Sequence, residues 1–372
     1  MRIGFDAKRA VSNFTGLGNY SRFVISNLMK YYPENVYKLF IPKLPQESKD
    51  KENETRKDEK VYSIKQTHKP FWRTMGIVKD IKEERIDIYH GLSNELPYRI
   101  NKAGVKSIVT IHDLIFINYP QFYNLIDRII YDIKAKYACK VADRIIAVSD
   151  CTKRDIIRHY RIDPSKIDVV YQGCFPIFKE PADGLKKKEV RHKYNLPDQY
   201  LLSIGSIEER KNILLIVKAL KYIPDIHFIA IGKQKDYADK VMRYAMEHNL
   251  SDRVHFFSKV PLTDLPTILQ ESKIFIYPSL YEGFGIPIIE ALNSGIPVIA
   301  ARGSCLEEAG GPHSIYVDPY NESELAEQVK SLLENDQQRV LMVKEGLEYV
   351  KRFSDEECTN ELIKVYNNLL NN

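Results

Sequence analysis

Tyr281-Glu282-Gly283-Phe284-Gly285-Ile286-Pro287-Ile288-Ile289-Glu290 stands between two short apolar runs. The run before it, Ile274-Phe275-Ile276-Tyr277-Pro278-Ser279, reads as a buried strand. After it, Ala291-Leu292-Asn293-Ser294-Gly295 reads as helix closed by Gly295, and Ile296-Pro297-Val298-Ile299-Ala300 as the next strand. The motif therefore lies on a strand–loop–helix turn of a parallel sheet, where open α/β folds bind their ligands. Gly283 and Gly285 let a ligand come close to bare N–H groups. Helix dipole and free N–H groups together favour an anion there, most often a phosphate. Glu282 and Glu290, eight residues apart, bracket that nest and can accept bonds from sugar hydroxyls. Phosphate with hydroxyls on either side is the chemistry of a nucleotide sugar. The plainer reading is a strand-to-helix turn with two solvated glutamates, because Gly-rich turns abound in α/β proteins.

The rest of the chain repeats this alternation. The predicted strands around the motif are 200–204, 226–231, 254–257, 274–277, 297–300 and 314–317. An earlier series runs 2–5, 36–41, 86–90, 107–111, 144–148 and 168–171, with helices notably at 21–30 and 125–138. Both series predict α/β units built on parallel sheets with helices on both faces. Residues 173–188, irregular and holding two prolines, form the predicted junction. The expected domains are 1–175 and 176–352, and the amphipathic segment 355–370 is a closing helix. Two such units in tandem imply a ligand cleft between them.

With 372 residues, 44% hydrophobic and 28% charged, the composition is that of a globular protein with ample core. No run is long enough to span a bilayer, and Met1–Asp6 reads as a first strand without a signal-peptide pattern. Five cysteines without a Cys-x-x-Cys pair point to reduced, buried thiols in the cytoplasm and away from a zinc site. Residues 1–180 carry about 32 Lys and Arg against 22 Asp and Glu, roughly +10. Of the totals 55 and 50, this leaves 23 against 28, roughly −5, for the remainder. A basic first half faces something anionic or is merely well solvated. No nucleic-acid signature accompanies the charge, so an anionic membrane surface or a phosphate-bearing acceptor fits better. Residues 43–60 form a mixed-charge, solvated loop. Lys69-Pro70-Phe71-Trp72-Arg73-Thr74-Met75 sets the single tryptophan in a basic, aromatic patch, either packed under a helix or acting as an interfacial anchor.

Three further stretches carry chemistry. In Leu201–Asn212 a strand ends at Gly205, a loop turns, and Asn212 is the predicted N-cap of a helix from Ile213. Arg210 and Lys211 then sit where they oppose the helix dipole, which favours a bound diphosphate between them. In Val109-Thr110-Ile111-His112-Asp113-Leu114 a His-Asp pair follows a strand, the carboxylate able to orient the imidazole. Thr15-Gly16-Leu17-Gly18-Asn19-Tyr20-Ser21 fails as a dinucleotide fingerprint, because Ser21 replaces the third glycine and the loop lies too far from the strand. Its glycines still allow close approach of a phosphate or sugar.

These stretches, with Ala147–Lys153, Gly303–Gly311 and Val317-Asp318-Pro319, resemble in order and spacing glycosyltransferase family four, the "glycosyl transferases group 1" proteins. The resemblance covers nearly the whole chain. It implies the GT-B architecture: two Rossmann-like domains facing across a cleft, acceptor-binding first and donor-binding second, with the last helix returning to the first. It implies that Lys211, with Arg210 nearby, holds the donor diphosphate and that Glu290 accepts the ribose hydroxyls. Glu282 would contact the transferred sugar, and the N–H groups of Phe284, Gly285 and Ile286 would bind sugar or phosphate. His112 would stand beside sugar and acceptor, Gly16 and Gly18 beside the diphosphate, and Val260 beside the nucleobase. The catalytic set would be His112, Lys211 and Glu282, and the acceptor side would comprise Tyr20, His90, Asn94, Glu95 and Asp113. Many relatives carry arginine where Ser206 stands here, so one phosphate contact falls to Arg210 or is missing.

The implied reaction is hexosyl transfer with retention at the anomeric carbon, by a front-face path that needs positioning and leaving-group stabilisation. No Asp-x-Asp pair is present, in keeping with the metal-free chemistry of the family; no metal or cofactor is expected beyond the donor itself. Ile86–Pro97 resembles a segment of bacterial polysaccharide and O-antigen mannosyltransferases, which favours GDP-mannose and a glycan or polyprenyl-diphosphate-linked glycan acceptor. Alternatives are a UDP-sugar donor (glucosyl or N-acetylglucosaminyl transfer) and, much further off, a nucleotide-binding oxidoreductase. The expected location is cytoplasmic, on the inner face of the membrane.

Overall fold

The computed structural model describes residues 1–13, 16–41, 64–65 and 71–371, the side chains of 64 and 65 excepted. Thr15 of the glycine loop, the charged loop 43–60, and Lys69 and Pro70 lie outside the described residues.

The first sheet has seven strands, β1 (Arg2–Asp6), β2 (Val36–Phe40), β3 (Ile64–Lys65), β4 (Ile88–Gly91), β5 (Lys106–Ile111), β6 (Arg144–Ala147) and β7 (Ile167–Val169). The second has six, β8 (Tyr200–Ile204), β9 (His227–Ile231), β10 (Val254–Phe257), β11 (Ile274–Tyr277), β12 (Val298–Ala301) and β13 (Ile315–Val317). Their orders are β3-β2-β1-β4-β5-β6-β7 and β10-β9-β8-β11-β12-β13. All pairings are parallel. In both, the chain winds outward to one edge and then reverses, leaving a crevice at the carboxyl ends of β1 and β4 and of β8 and β11. Helices cover both faces, so strands such as Ile274-Phe275-Ile276-Tyr277 are buried along their whole length and read as unbroken apolar runs.

Four helices matter for the sites: α1 (Gly16–Tyr31), α2 (Leu125–Val141), α3 (Ile286–Asn293) and α4 (Asp355–Asn371). The first begins five residues before its predicted start, because Gly16 and Gly18, poor helix formers, are its first turn. Close packing explains Gly18: a Cβ there would stand 1.7 Å from the carbonyl oxygen of Asn13. A Cβ at Gly16 would meet nothing within 4 Å among the described residues. Its apolar stripe, Tyr20, Val24 and Leu28, is buried.

The chain divides into two compact units, Met1–Gln172 with Phe353–Asn372, and Gly173–Arg352. In the first, α4 lies against α1, burying Cys358, Leu362, Tyr366 and Leu369. Tyr32 Oη donates to Asn360 Oδ1 at 2.6 Å across that contact. The second unit's core on one face of its sheet gathers Ile216, Val217 and Val329 from helices and Phe228, Ile276 and Ile299 from strands. All five cysteines are buried and none forms a disulfide.

Trp72 is not an interfacial anchor. Its ring is buried among Phe40, Ile77, Ile81 and Ile100, and Nε1 donates to Asp80 Oδ2 at 2.5 Å. Burying the indole with its N–H satisfied leaves Phe71 and Met75 outside instead.

Candidate active site

The loops leaving β8 and β11 meet at the reversal of the second sheet. Leu280 N donates to Arg210 O at 2.9 Å, and Asn212 Nδ2 donates to the carbonyls of Pro278 (3.2 Å) and Pro319 (2.7 Å). Asn212 precedes a helix over Ile213–Ala219, yet it does not cap it with its side chain. Its backbone is left-handed (φ 56°), and its amide ties three loops together. Asn tolerates that conformation better than most residues, which is a different reason for its presence than the predicted one.

Those stitches bring two cations and two carboxylates into one half-buried cluster. Lys211 Nζ lies 2.6 Å from Glu282 Oε1 and donates to Tyr277 Oη at 2.5 Å. Arg210 reaches Glu282 Oε2 at 2.8 Å, Glu208 Oε1 at 2.9 Å and the Tyr281 carbonyl at 2.8 Å. Lys235 pairs with the other oxygen of Glu208. Burial alone would raise the Glu282 carboxyl, but Lys211 and Arg210 outweigh it and hold it down at about 2. Burial also works against Arg210, yet Glu282 and Glu208 keep its guanidinium firmly charged. Sequence reasoning placed Glu282 among sugar hydroxyls; in the structure both its oxygens are held by the cations. Arg210, with three acceptors already, does not lean toward Ser206, which lies between the backbone bonds Gly205 N to Ile231 O and Ile207 N to Lys233 O.

Glu290 contrasts with Glu282. It is the fifth residue of α3, half-buried, and no side chain among the described residues bonds its carboxylate. Burial pushes it up to about 7. A desolvated carboxylate without a protein donor suits hydroxyl groups brought by a ligand. Between the two glutamates, Gly285 is the N-cap of α3 with φ 127°, a conformation glycine alone adopts readily. A Cβ there would press on Ala309 and Leu306, both at 3.2 Å. Ile286 opens the helix, Phe284 packs its ring inward, and Pro287 occupies an early position that needs no N–H. Val260, half-buried, follows β10 at the edge of the same sheet.

In the first unit, His112 follows β5. Its ring is buried, Nε2 lies 2.8 Å from the Leu92 carbonyl, and Tyr20 meets it edge-on at 4.6 Å. A carbonyl only accepts, so Nε2 carries the proton and Nδ1 the lone pair. Burial lowers the imidazole to about 4, so it is neutral at pH 7. Asp113 does not orient the ring as expected; its Oδ1 accepts from Ile115 N at 3.1 Å. Asn94, left-handed at φ 57°, accepts from His112 N at 2.8 Å and so fixes the backbone of the loop. Glu95 is held by Arg73 at 3.1 Å and Lys134 at 3.0 Å.

Two acceptor assignments are corrected. His90 is fully buried, Nδ1 on Tyr366 Oη at 2.6 Å and Nε2 on Thr110 Oγ1 at 2.8 Å. Tyr20 is buried too, its hydroxyl 3.0 Å from the same Thr110 oxygen. With their polar atoms used inside the unit neither faces an acceptor, and Tyr20 backs the His112 ring. At Gly18 the position of a side chain is filled by the Asn13 carbonyl, so close packing within the unit already requires a glycine there.

Sequence reasoning missed Tyr277, Glu208, Thr110 and Tyr366. Glu208, two residues from Arg210, carried a signal, since a half-buried guanidinium needs a counter-charge. Tyr366 carried none; its bond to His90 spans 276 positions.

Two nucleotide-fold units, with a cation pair and a ligand-ready carboxylate at the reversal of the second, define a glycosyltransferase of the GT-B class. The pattern of "Glycosyltransferase Family 4" matches residues 25–174 and that of "Glycosyl transferases group 1" residues 186–349. The O-antigen chain mannosyltransferase B of Escherichia coli is 30% identical over 288 residues, covering 75% of this chain and 74% of that protein. The O-antigen chain mannosyltransferase RfbU of Salmonella typhimurium is 28% identical over 225 residues, 60% of each chain. Among solved structures, Anabaena Alr3699/HepE in complex with UDP and glucose superposes with a TM-score of 0.75 at 16% identity, covering 99% of this chain and 100% of that one. The chain belongs to glycosyltransferase family 4.

Proposed function

We propose that this enzyme transfers mannose from GDP-mannose, with retention and without a metal, to a glycan or polyprenyl-diphosphate-linked glycan during cell-surface polysaccharide synthesis. The observation that carries the reading is the Lys211–Arg210–Glu282 cluster at the reversal of the second sheet, with Glu290 of the same motif bonded by no side chain among the described residues. Lys211 and Arg210 would neutralise charge building on the departing diphosphate, the task a metal performs elsewhere. Glu290 would hold the ribose hydroxyls. Glu282, its charge shared by two cations, makes a poor nucleophile and favours a front-face path over a covalent intermediate. The lone pair on His112 Nδ1 would accept a hydroxyl of sugar or acceptor.

Mannose rests on the similarity to the O-antigen chain mannosyltransferases. A UDP-sugar is the second reading, favoured by the fold shared with the protein solved with UDP and glucose. Hydrolysis across a panel of nucleotide sugars, with and without EDTA, separates them. Turnover of GDP-mannose unaffected by EDTA, releasing the α-anomer first by proton NMR, is the expected result. Preference for a UDP-sugar would overturn the donor, and loss with EDTA the metal-free site.

A further inference from the structure

A lysine is poorly suited to holding a charge at one point, because its stem is flexible and its ammonium offers three equivalent N–H groups. At Lys211 three neighbours remove that freedom. A Cβ at Gly205 would stand 3.2 Å from Lys211 Cε and 3.5 Å from Nζ, so the stem lies across bare backbone at the end of β8. Glu282 Oε1 accepts one N–H at 2.6 Å, and Tyr277 Oη accepts another at 2.5 Å.

Both acceptors are fixed without help from the lysine. Tyr277 is the last residue of β11 and 2% exposed, so its ring is held by the sheet. Its own O–H donates to Glu282 Oε1 at 3.2 Å, which closes a triangle of ammonium, hydroxyl and carboxylate. Burial, with Glu282 beside it, pushes the phenol well above its ordinary value, so the hydroxyl keeps its proton and serves as a bridge. Arg210 holds Glu282 Oε2 at 2.8 Å, and Cys305 Sγ donates to the Glu282 carbonyl at 3.1 Å. Two N–H groups of Lys211 are thus committed, which sets the direction of the third. That third group has no acceptor among the described residues, and the side chain, 13% exposed, is not sealed from a ligand.

We propose that Tyr277 is a positioning residue for sugar transfer: its hydroxyl, with Glu282, aims the remaining N–H of Lys211 at the diphosphate oxygen that leaves the sugar. The proposal rests on the donor reading above and adds to it how the cation is aimed. When the bond between the anomeric carbon and that oxygen breaks, the electron pair stays on the oxygen. The sugar passes to an acceptor hydroxyl, or to water in hydrolysis, and the proton released there goes to the diphosphate while Lys211 keeps its own. Charge gathers on the oxygen only as the bond breaks, so a well-aimed N–H strengthens more in the transition state than in the bound donor. Losing the aim should therefore lower kcat and leave KM nearly unchanged.

Tyr277→Phe removes one oxygen and keeps the ring in the core. Native protein, Tyr277→Phe, Lys211→Ala and the double variant form a cycle that shows whether Tyr277 acts through Lys211. Hydrolysis of the preferred nucleotide sugar is one measurement, and calorimetric affinity for GDP and for UDP, whose terminal phosphate carries the charge of the departed oxygen, is the other. Tyr277→Phe should lower kcat about tenfold with KM within about twofold, and weaken the nucleoside diphosphate about fivefold. In the Lys211→Ala background the same change should alter neither by more than about twofold. Affinity decides where Lys211→Ala turns over too slowly to follow. Equal losses with and without Lys211 would make Tyr277 a packing residue and overturn the proposal, as would an undiminished kcat in Tyr277→Phe. Native protein that binds neither GDP nor UDP would remove the donor reading first, and the proposal with it.

Discussion

Glu290 and Glu282 stand eight residues apart in one motif and are pushed in opposite directions, up to about 7 and down to about 2. Ribose hydroxyls donate to an ionised carboxylate, so ligand binding favours the form that burial disfavours in Glu290. Nucleotide affinity should therefore rise as pH increases through 7, and Glu290→Gln should bind more weakly with a flat profile, measured by calorimetric titration between pH 5.5 and 8.5. An identical slope in the variant would remove Glu290 from the site. For Glu282 the folded value lies below the ordinary 4.5, so its stabilisation is complete above that pH and is lost as pH falls toward 2. Glu282→Ala would leave Lys211 and Arg210 facing each other and should cost roughly 3 kcal/mol. Sulfate or phosphate should restore more melting temperature in that variant than in the native protein, since an anion would take the missing charge. Equal effects of salt would contradict this account of the cluster. The glutamates were legible in the sequence because the motif prints them side by side with the glycines. Which one faces cations and which faces a ligand was not, because that depends on loops brought from β8.

At the scale of elements, every strand but the two-residue β3, which was missed, was read to within about two residues, because strands buried on both faces are continuous apolar runs with little ambiguity. Helix α1 was read short, since two glycines in a first turn look like a loop until the partner that requires them is known. That partner gives a contrast between neighbours. Gly18→Ala should lower stability by 2 kcal/mol or more, roughly, by forcing α1 off the Asn13 carbonyl, whereas Gly16→Ala should melt within a degree or two of the native protein. Thermal unfolding checks both, and equal losses would disprove the packing argument. The Phe71-Trp72 pair shows another limit of sequence. Either ring could fill the core, and only the backbone of that turn, with Phe71 left-handed at φ 57°, selects Trp72.

Over the whole molecule, the chain leaves the first unit at Gln172 and returns to it at Phe353. The returning helix α4 was visible as an amphipathic tail, but its reach to His90 through Tyr366 was not, since no local pattern encodes a contact across the chain. Tyr366→Phe would strip His90 Nδ1 of its partner in a fully buried site and should cost about 1–3 kcal/mol. Removing residues 353–372 should destabilise the first unit and leave Gly173–Arg352 protected, as hydrogen exchange would report by unit. Loss of protection in the second unit as well would contradict the division. The catalytic reading concentrates on Lys211, whose removal leaves Glu282 still held by Arg210. The most direct test is therefore turnover of the preferred nucleotide sugar by native protein and Lys211→Ala, with melting followed in parallel. A fall in kcat/KM of about a hundredfold or more, in a protein that still melts cooperatively, is the expected result. Undiminished turnover in a folded Lys211→Ala protein would contradict the assignment of the site.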